Sequence, residues 1–226
     1  ADQRTRKDLP ETVIRGSLKR SANSERVQVA AVAGRAVFGV GLMADGQGQV
    51  TLLGKRAWFA RAQEDEVIYR ARVEPAGEAA WLATAKVSSW RASVITDAVD
   101  LPALEQRISA RASHLNLPRQ KLIPFRLTGR VVDATWHVDR GLKAAPDGGT
   151  PVVSAPVTRS QKEAITAEIV GFYAGKEARD ANLGSSLHAH IMLPKMKVSG
   201  HLDSVMIQGR AILLLPDTLP WVTGLS

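Results

Sequence analysis

Three of the chain's five histidines fall between positions 188 and 201: His188, His190 and His201. The stretch Ser186-Leu-His188-Ala-His190-Ile-Met-Leu193 has the pattern of a strand. Side chains in a strand alternate, so His188 and His190 share one face while Leu187, Ala189, Ile191 and Leu193 take the other. Pro194-Lys195-Met196-Lys197 reads as a four-residue hairpin loop, after which residue 193 pairs with 198, 190 with 201 and 188 with 203. His201 then stands across from His190, and Asp203 across from His188. Directly opposed residues have Cβ atoms about 4.5–5.5 Å apart, so three imidazoles can converge on one ion. Three neutral imidazoles leave zinc an open coordination position, the arrangement of a catalytic rather than a structural site. Such an ion polarises a carbonyl or activates water. Asp203 is placed to accept the free N–H of His188 and fix its tautomer.

Two histidines at i and i+2 alone would read as a hydrogen-bonded polar sheet face; the third, at the paired position, favours a metal. The chain has no cysteine, which excludes disulfides, thiolate ligands and a thiol nucleophile. His137, in Thr135-Trp-His-Val138, falls on a strand and is a further candidate. His114, beside Arg107 and Arg111 on a helix, reads as a solvated residue.

The elements around these residues are mostly strands. Residues 1–26 form a polar, basic N-terminal arm in which Asp8 can cap a short helix through Val13, Ile14 and Leu18. Between Val27 and Leu53, apolar runs are broken by glycines. Residues 35–40 and 50–53 read as strands with a turn at 44–48, and 55–60, 67–73 and 81–87 continue the pattern. One helix stands out. Asp100 is its N-cap, Pro102 fits its first turn, Leu101, Leu104, Ile108, Ala112 and Leu115 form one stripe, and Pro118 stops it. Residues 122–127 and 130–138 read as strands on either side of Gly129, followed by a long irregular connection over 141–158. Ser160-Gln161-Lys162-Glu163 imitates a helix capping box, yet the β-branched and aromatic residues from Ile165 to Tyr173 make that segment a strand. The fold predicted is α+β: a single domain over 1–226 with two β-rich lobes, 27–120 and 121–226, few helices, and the metal-binding β-hairpin in the C-terminal lobe.

The 226 residues are 45% apolar and 23% charged, the balance of an ordinary globular protein. No apolar run reaches the ~18 residues needed to span a bilayer as a helix. The net charge of +8 suggests an anionic partner, but the basic residues are dispersed from Arg4 to Arg210 without a Lys/Arg run of five. Eleven aromatic residues offer few platforms for stacking bases. A generally basic, solvated surface is the reading adopted.

The histidine segment, preceded by Glu168-Ile-Val-Gly-Phe-Tyr173 and continued by Ser199-Gly-His-Leu-Asp203, resembles acetolactate decarboxylase. That family shows a Gly-Thr-x-Val-Gly-Phe strand, a His-x-His-Phe strand and a Gly-Gly-His segment in this order. Phe38-Gly-Val-Gly41 and Asp45-Gly-Gln-Gly-Gln49 resemble its Gly-x-Gly-Thr-Phe and Asp-Gly-Glu segments, and Phe125-Arg-Leu-Thr-Gly129 its Ile-Arg-Ile-x-Gly segment. The resemblance runs from about Val32 to Pro216, and the histidine spacing is its specific part. It implies zinc on His188, His190 and His201, with a glutamate, an arginine and a C-terminal glutamate completing the site. The first glutamate falls on Gln49. The arginine falls near His137, with Arg126 or Arg140 as spatial substitutes. The C-terminal glutamate finds no counterpart before Ser226.

The resemblance implies a zinc-dependent lyase that converts acetolactate to acetoin or decarboxylates a related 3-oxo acid, its activity reduced because an amide at position 49 cannot carry a proton. Gln49, His137, Arg126 and Asp203 are the catalytic candidates. The alternative is a non-catalytic zinc- or ligand-binding homologue that has lost the proton-transfer glutamate. A third reading, the plant- and prokaryote-conserved domain of DNA-associated proteins, shares His-x-His and Gly-Gly-His segments, but there the spacing is usually longer. The expected partners are a small anionic substrate (a 2-hydroxy-3-oxo acid) and a second copy of the chain in a homodimer, with no nucleic acid and no membrane insertion. The start at Ala1-Asp2-Gln3, without Met or an apolar leader, fits a cleaved signal peptide and a periplasmic or secreted location, with the cytoplasm otherwise.

Overall fold

The computed structural model describes residues 12–16, 26–34, 36–72, 77–118, 120–143, 152–175 and 186–217. Its first sheet is built from β1 (Thr12–Gly16), β2 (Val27–Gln28), β3 (Val37–Met43), β4 (Gly48–Leu53), β5 (Arg56–Gln63), β6 (Glu66–Arg72) and β7 (Glu78–Lys86), with a single turn of helix, α1 (Val29–Val32), after β2. The strands run antiparallel in the order β1-β7-β3-β4-β5-β6, and β2 also pairs with β7. The turn over Ala44–Gln47 separates β3 from β4, as its Asp-Gly composition predicts.

The chain crosses to a second sheet after β7. This sheet holds β8 (Trp90–Ile95), β9 (Val99–Asp100), β10 (Leu122–Val138), β13 (Val157–Gln161), β14 (Ile165–Ala174), β15 (Leu187–Leu193), β16 (Val198–Ile207) and β17 (Ala211–Pro216), while β11 (Leu142–Lys143) and β12 (Val152–Val153) pair only with each other. Strand β10 is long enough to use both of its edges twice. It pairs with β14 and β13 on one side and with β17 and β16 on the other. Because β14 also pairs with β15 and β15 with β16, the strands β10, β14, β15 and β16 close into a barrel-like ring.

Helix α2 (Leu101–His114) packs on one face of this ring through Leu104, Ile108 and Ala112, against Phe125, Leu127, Ile169, Ala189 and Ile191. Asp100 caps it, its carboxylate accepting the backbone N–H of Ala103 at 2.8 Å. The other face of the ring meets the first sheet: Val170, Phe172 and Met192 pack with Phe38, Val40, Leu42, Trp58 and Trp81. Alternation along β15 therefore sends Ala189, Ile191 and Leu193 to the helix side, and His188, His190 and Met192 to the seam between the sheets.

The α+β class with two β-rich layers and few helices is the observed one, but three local expectations are corrected. Residues 12–16 form a strand on the edge of β7, not a helix, since β-branched Val13 and Ile14 suit a paired strand better than an isolated helical turn; Asp8 and Leu18 lie outside the described residues. Gly129 does not divide two strands. It sits inside the continuous β10, where an added Cβ would lie 2.7 Å from that of Ala211, so glycine there serves close packing against β17. The connection over 141–158 is not wholly irregular, because β11, β12 and the start of β13 fall within it. The first sheet ends at Lys86, and β8 and α2 already belong to the second layer.

Candidate metal centre

One row of the second sheet reads Val170, His190, His201, His137 across β14, β15, β16 and β10. Residues opposed in an antiparallel ladder project from the same face, so three imidazoles stand side by side, and His188 joins them two residues along β15. Ring centroids lie 4.6 Å apart for His188 and His201, 5.7 Å for His190 and His201, 5.8 Å for His188 and His190, and 4.7 Å for His137 and His201. A matching row on the first sheet reads Trp81, Leu42, Gln49 across β7, β3 and β4. Between the two rows lies a cavity of about 150 Å³, walled by Leu42, Gln49 and Trp81 on one side and by His137, Asp139, His188 and His201 on the other.

His188, His190 and His201 each offer a ligand nitrogen, and these atoms all lie within 4.8 Å of one another. The hairpin register is the one the loop length predicts: His190 opposite His201, Leu193 opposite Val198. His190 is fully buried, its Nδ1 lies 2.8 Å from Thr51 Oγ1, and its Nε2 is buried without a partner among the described residues. An orphaned buried nitrogen is unusual in a folded protein, and here it belongs to a group of three ligand atoms. Burial, reinforced by the neighbouring imidazoles of His201, His188 and His137, holds the pKa of His190 well below the usual histidine value. Burial and the imidazoles of His188 and His137 bring His201 down to about 3. Both rings are thus neutral near pH 7, the state a divalent cation requires. The residues present fit a metal ion.

Asp203 is displaced from its expected place opposite His188. Strand β16 carries one extra residue relative to β10: Trp136 pairs with Leu202 and Thr135 with Ser204, leaving Asp203 in a bulge. Bulges re-aim side chains, and Asp203 Oδ1 lies 2.6 Å from His137 Nδ1. Burial opposes charge on His137, but the Asp203 hydrogen bond and the charges of Asp203 and Asp139 outweigh it and raise the pKa. His137, His201 and Asp203 form a second group of potential ligand atoms within 4.8 Å, sharing His201 with the first.

Gln49 is in the cavity wall, but its role there is structural as well as positional: Nε2 donates to Asp139 Oδ2 at 2.8 Å. Arg126 is engaged elsewhere, paired with Glu168 at 3.1 Å and lying over the ring of Phe38. It is absent from the residues that line the cavity, because β14 and β15 stand between it and His201 in the ladder. Arg140 bonds Asp65 and the carbonyl of Glu64 at the β5–β6 turn. Four residues of the site were missed by the sequence reading: Leu42, Thr51, Trp81 and Asp139. Two of them carried a signal, since Thr51 follows Gln49, and Asp139 follows His137, by the two-residue period that keeps side chains on one face. Leu42 and Trp81 read as core from sequence, and nothing marks them as walls of the site.

No family model matches the chain, and no curated protein matches it in sequence. Solved structures do. An acetolactate decarboxylase from Bacillus subtilis subspecies spizizenii superposes with a TM-score of 0.64 over 84% of this chain and 78% of its own, at 12% identity. The alpha-acetolactate decarboxylase of Bacillus subtilis strain 168 gives 0.65 over 84% and 77%, at 13% identity. A Staphylococcus aureus protein of unknown function, similar to alpha-acetolactate decarboxylase, gives 0.64 over 90% and 84%, at 12% identity. The fold is acetolactate decarboxylase-like. At such identities the likeness is one of fold, and the chemistry must be argued from the side chains.

Proposed function

We propose that this protein is a zinc-dependent lyase of the acetolactate decarboxylase type, acting on a small 2-hydroxy-3-oxo acid, with activity reduced by the amide at position 49. The observation that carries the reading is the meeting of His188, His190 and His201 beside a cavity sized for a small molecule. His188, His190 and His201 would hold the ion, and Thr51, accepting from His190 Nδ1–H, would fix the tautomer that leaves Nε2 as ligand. Zinc, when bound, supplies Lewis acidity that draws electron density from a carbonyl as carbon dioxide leaves. Around it the chain supplies shape and charge. Leu42 and Trp81 exclude water from one side of the cavity. His137, hydrogen-bonded through Nδ1 to Asp203, places a ring with a raised pKa at the rim. In its charged form this ring offsets the charge of a bound carboxylate.

One feature favours a second reading. Among the described residues no Lys or Arg lines the cavity, and where the resemblance implies a glutamate stands a glutamine tied to Asp139. A zinc- or ligand-binding homologue without turnover would look like this. Metal analysis of protein purified without added metal, run beside an acetoin assay from acetolactate, separates the two. One zinc per chain with slow acetoin formation supports the lyase, and one zinc without acetoin the binding protein. Less than a tenth of an equivalent of zinc, with alanine variants of all three histidines as stable as wild type, removes both.

A further inference from the structure

His201 has a histidine on each side. In the ladder it stands directly opposite His190 of β15 and directly opposite His137 of β10. It accordingly belongs to both groups of potential ligand atoms, His188 with His190 and His201, and His137 with His201 and Asp203. The backbone brings the carboxylate into the second group. Beyond His201, β16 no longer pairs with β15, and the bulge against β10 sets Asp203 Oδ1 2.6 Å from His137 Nδ1. The two groups differ in access to solvent. The side chains of Asp203 and His137 are 36% and 22% exposed, His201 is half-buried, and His188 and His190 are buried. His190 does not line the cavity, whereas His137, His188 and His201 do. The groups also differ in charge. The inner one consists of imidazoles alone, and the outer one includes a carboxylate.

We propose that His137, His201 and Asp203 form an entry station for the metal ion. A divalent cation is captured at the rim by Asp203, His137 and His201, and then moves inward as His188 and His190 replace the outer two ligands. His201 holds the ion throughout, so the exchange needs no release to solvent. The proposal rests on the reading of the three inner histidines as the metal centre, and adds to it a second ligand set and a route. Burying a charge is costly unless ligands replace its water, and the carboxylate of Asp203 offsets that charge while water is shed. Mixed imidazole and carboxylate donors suit zinc and its neighbours, so the same ion fits both stations. A station on the path lowers the barrier in both directions. It therefore changes the rates of loading and unloading together and leaves the equilibrium affinity of the inner site alone.

The test uses metal-free protein and cobalt(II), whose visible absorption reports its ligands, in stopped-flow mixing and in equilibrium titration. A charge at the mouth of a cleft raises capture rates by about 10- to 1,000-fold. Asp203→Asn should slow loading by about 10-fold, the lower end of that range. Release into excess chelator should slow by a similar factor, with the dissociation constant nearly unchanged. His137→Gln removes an imidazole and no carboxylate, so slower loading and release in this variant too shows ligation rather than attraction by charge alone. His190→Gln isolates the station. It should still bind cobalt(II), more weakly than wild type, and lose that binding when Asp203→Asn is added. His188→Gln gives the same comparison should His190→Gln fail to fold. Wild-type rates in both Asp203→Asn and His137→Gln, or cobalt binding in the inner-site variants that ignores Asp203, overturn the station and leave the inner site standing. Wild-type protein that takes up no cobalt(II) removes the inner site and the station together.

Discussion

Thr51 Oγ1 and His190 Nδ1 lie 2.8 Å apart across the seam between the two sheets, joining β4 of the first to β15 of the second. With Nε2 turned to a metal, Nδ1 carries the proton and the threonine hydroxyl accepts it. Partners of this kind fix ring orientation, and losing one typically weakens metal binding by about 10–100-fold. Thr51→Val, which keeps the shape and removes the acceptor, should raise the zinc dissociation constant by about that factor, and Thr51→Ser should restore most of it. Chelator competition measures both. Equal affinities in wild type and the valine variant would leave the threonine with a packing role only.

Asp203 gives the opposite expectation. It lies two residues after His201, but its carboxylate is hydrogen-bonded to His137. Asp203→Asn should therefore leave zinc affinity within about 3-fold of wild type, well short of the 10–100-fold that losing a ligand's own partner costs. The ring of His137, deprived of a charged acceptor, should lose its raised pKa, which histidine-selective NMR titration reports. A large loss of zinc with His137 unaltered would mean that Asp203 supports the ligands directly.

The contrast between these two residues shows what the sequence could disclose. The hairpin was legible because a four-residue loop and a two-residue period leave only one register, and that register puts His190 opposite His201. The helix was legible from Asp100, Pro102 and a stripe of apolar residues. Asp203 was misplaced because the β15–β16 ladder stops at the His190–His201 pair and a bulge against β10 re-aims its side chain, and no residue type in β16 announces either. Trp81, Leu42 and Gln49 are brought to the histidines by the stacking of two sheets, a contact between segments some hundred residues apart that periodicity within either cannot reveal. Helix was expected at residues 12–16 for a similar reason: local spacing favoured it, and the exposed edge of β7 decided otherwise.

The neutral imidazoles make acid stability a further test. In the metal-free protein His201 is brought down to about 3 and His190 lies well below its ordinary value, whereas the unfolded chain protonates both near 6.5. Below that pH the unfolded state binds more protons than the folded one, so stability falls as pH drops. Each fully titrating histidine contributes a slope of about 1.4 kcal/mol per pH unit. Chelator-treated protein should lose stability between pH 6.5 and 4.5 in urea melts, and His201→Gln should remove roughly half of the slope assigned to the pair. A flat profile in wild type over that window contradicts the neutral, desolvated pair.

Gln49 supplies the last prediction. The side chain facing Gln49 is Asp139, whose Oδ2 accepts a bond of 2.8 Å from Gln49 Nε2. Gln49→Glu sets two carboxylates against each other, and like charges at that distance cannot both ionise, so the pair keeps one proton and its upper pKa rises. A folded-state pKa raised above the unfolded value of about 4.3 gives stability that is present at low pH and lost as pH rises through the raised value. The variant should be close to wild type at pH 5 and less stable at pH 8, by about 1–3 kcal/mol for a part-buried hydrogen bond replaced by two facing acceptors. The double variant Gln49→Glu with Asp139→Asn reverses the direction of the hydrogen bond, the Asn amide donating to the glutamate, and should recover most of the loss at pH 8. The two single changes and the double form a cycle whose coupling is read from urea midpoints. Additive effects at pH 8 would show that the two side chains do not meet. Strong coupling would show that Asp139 governs the protonation of a glutamate introduced at position 49.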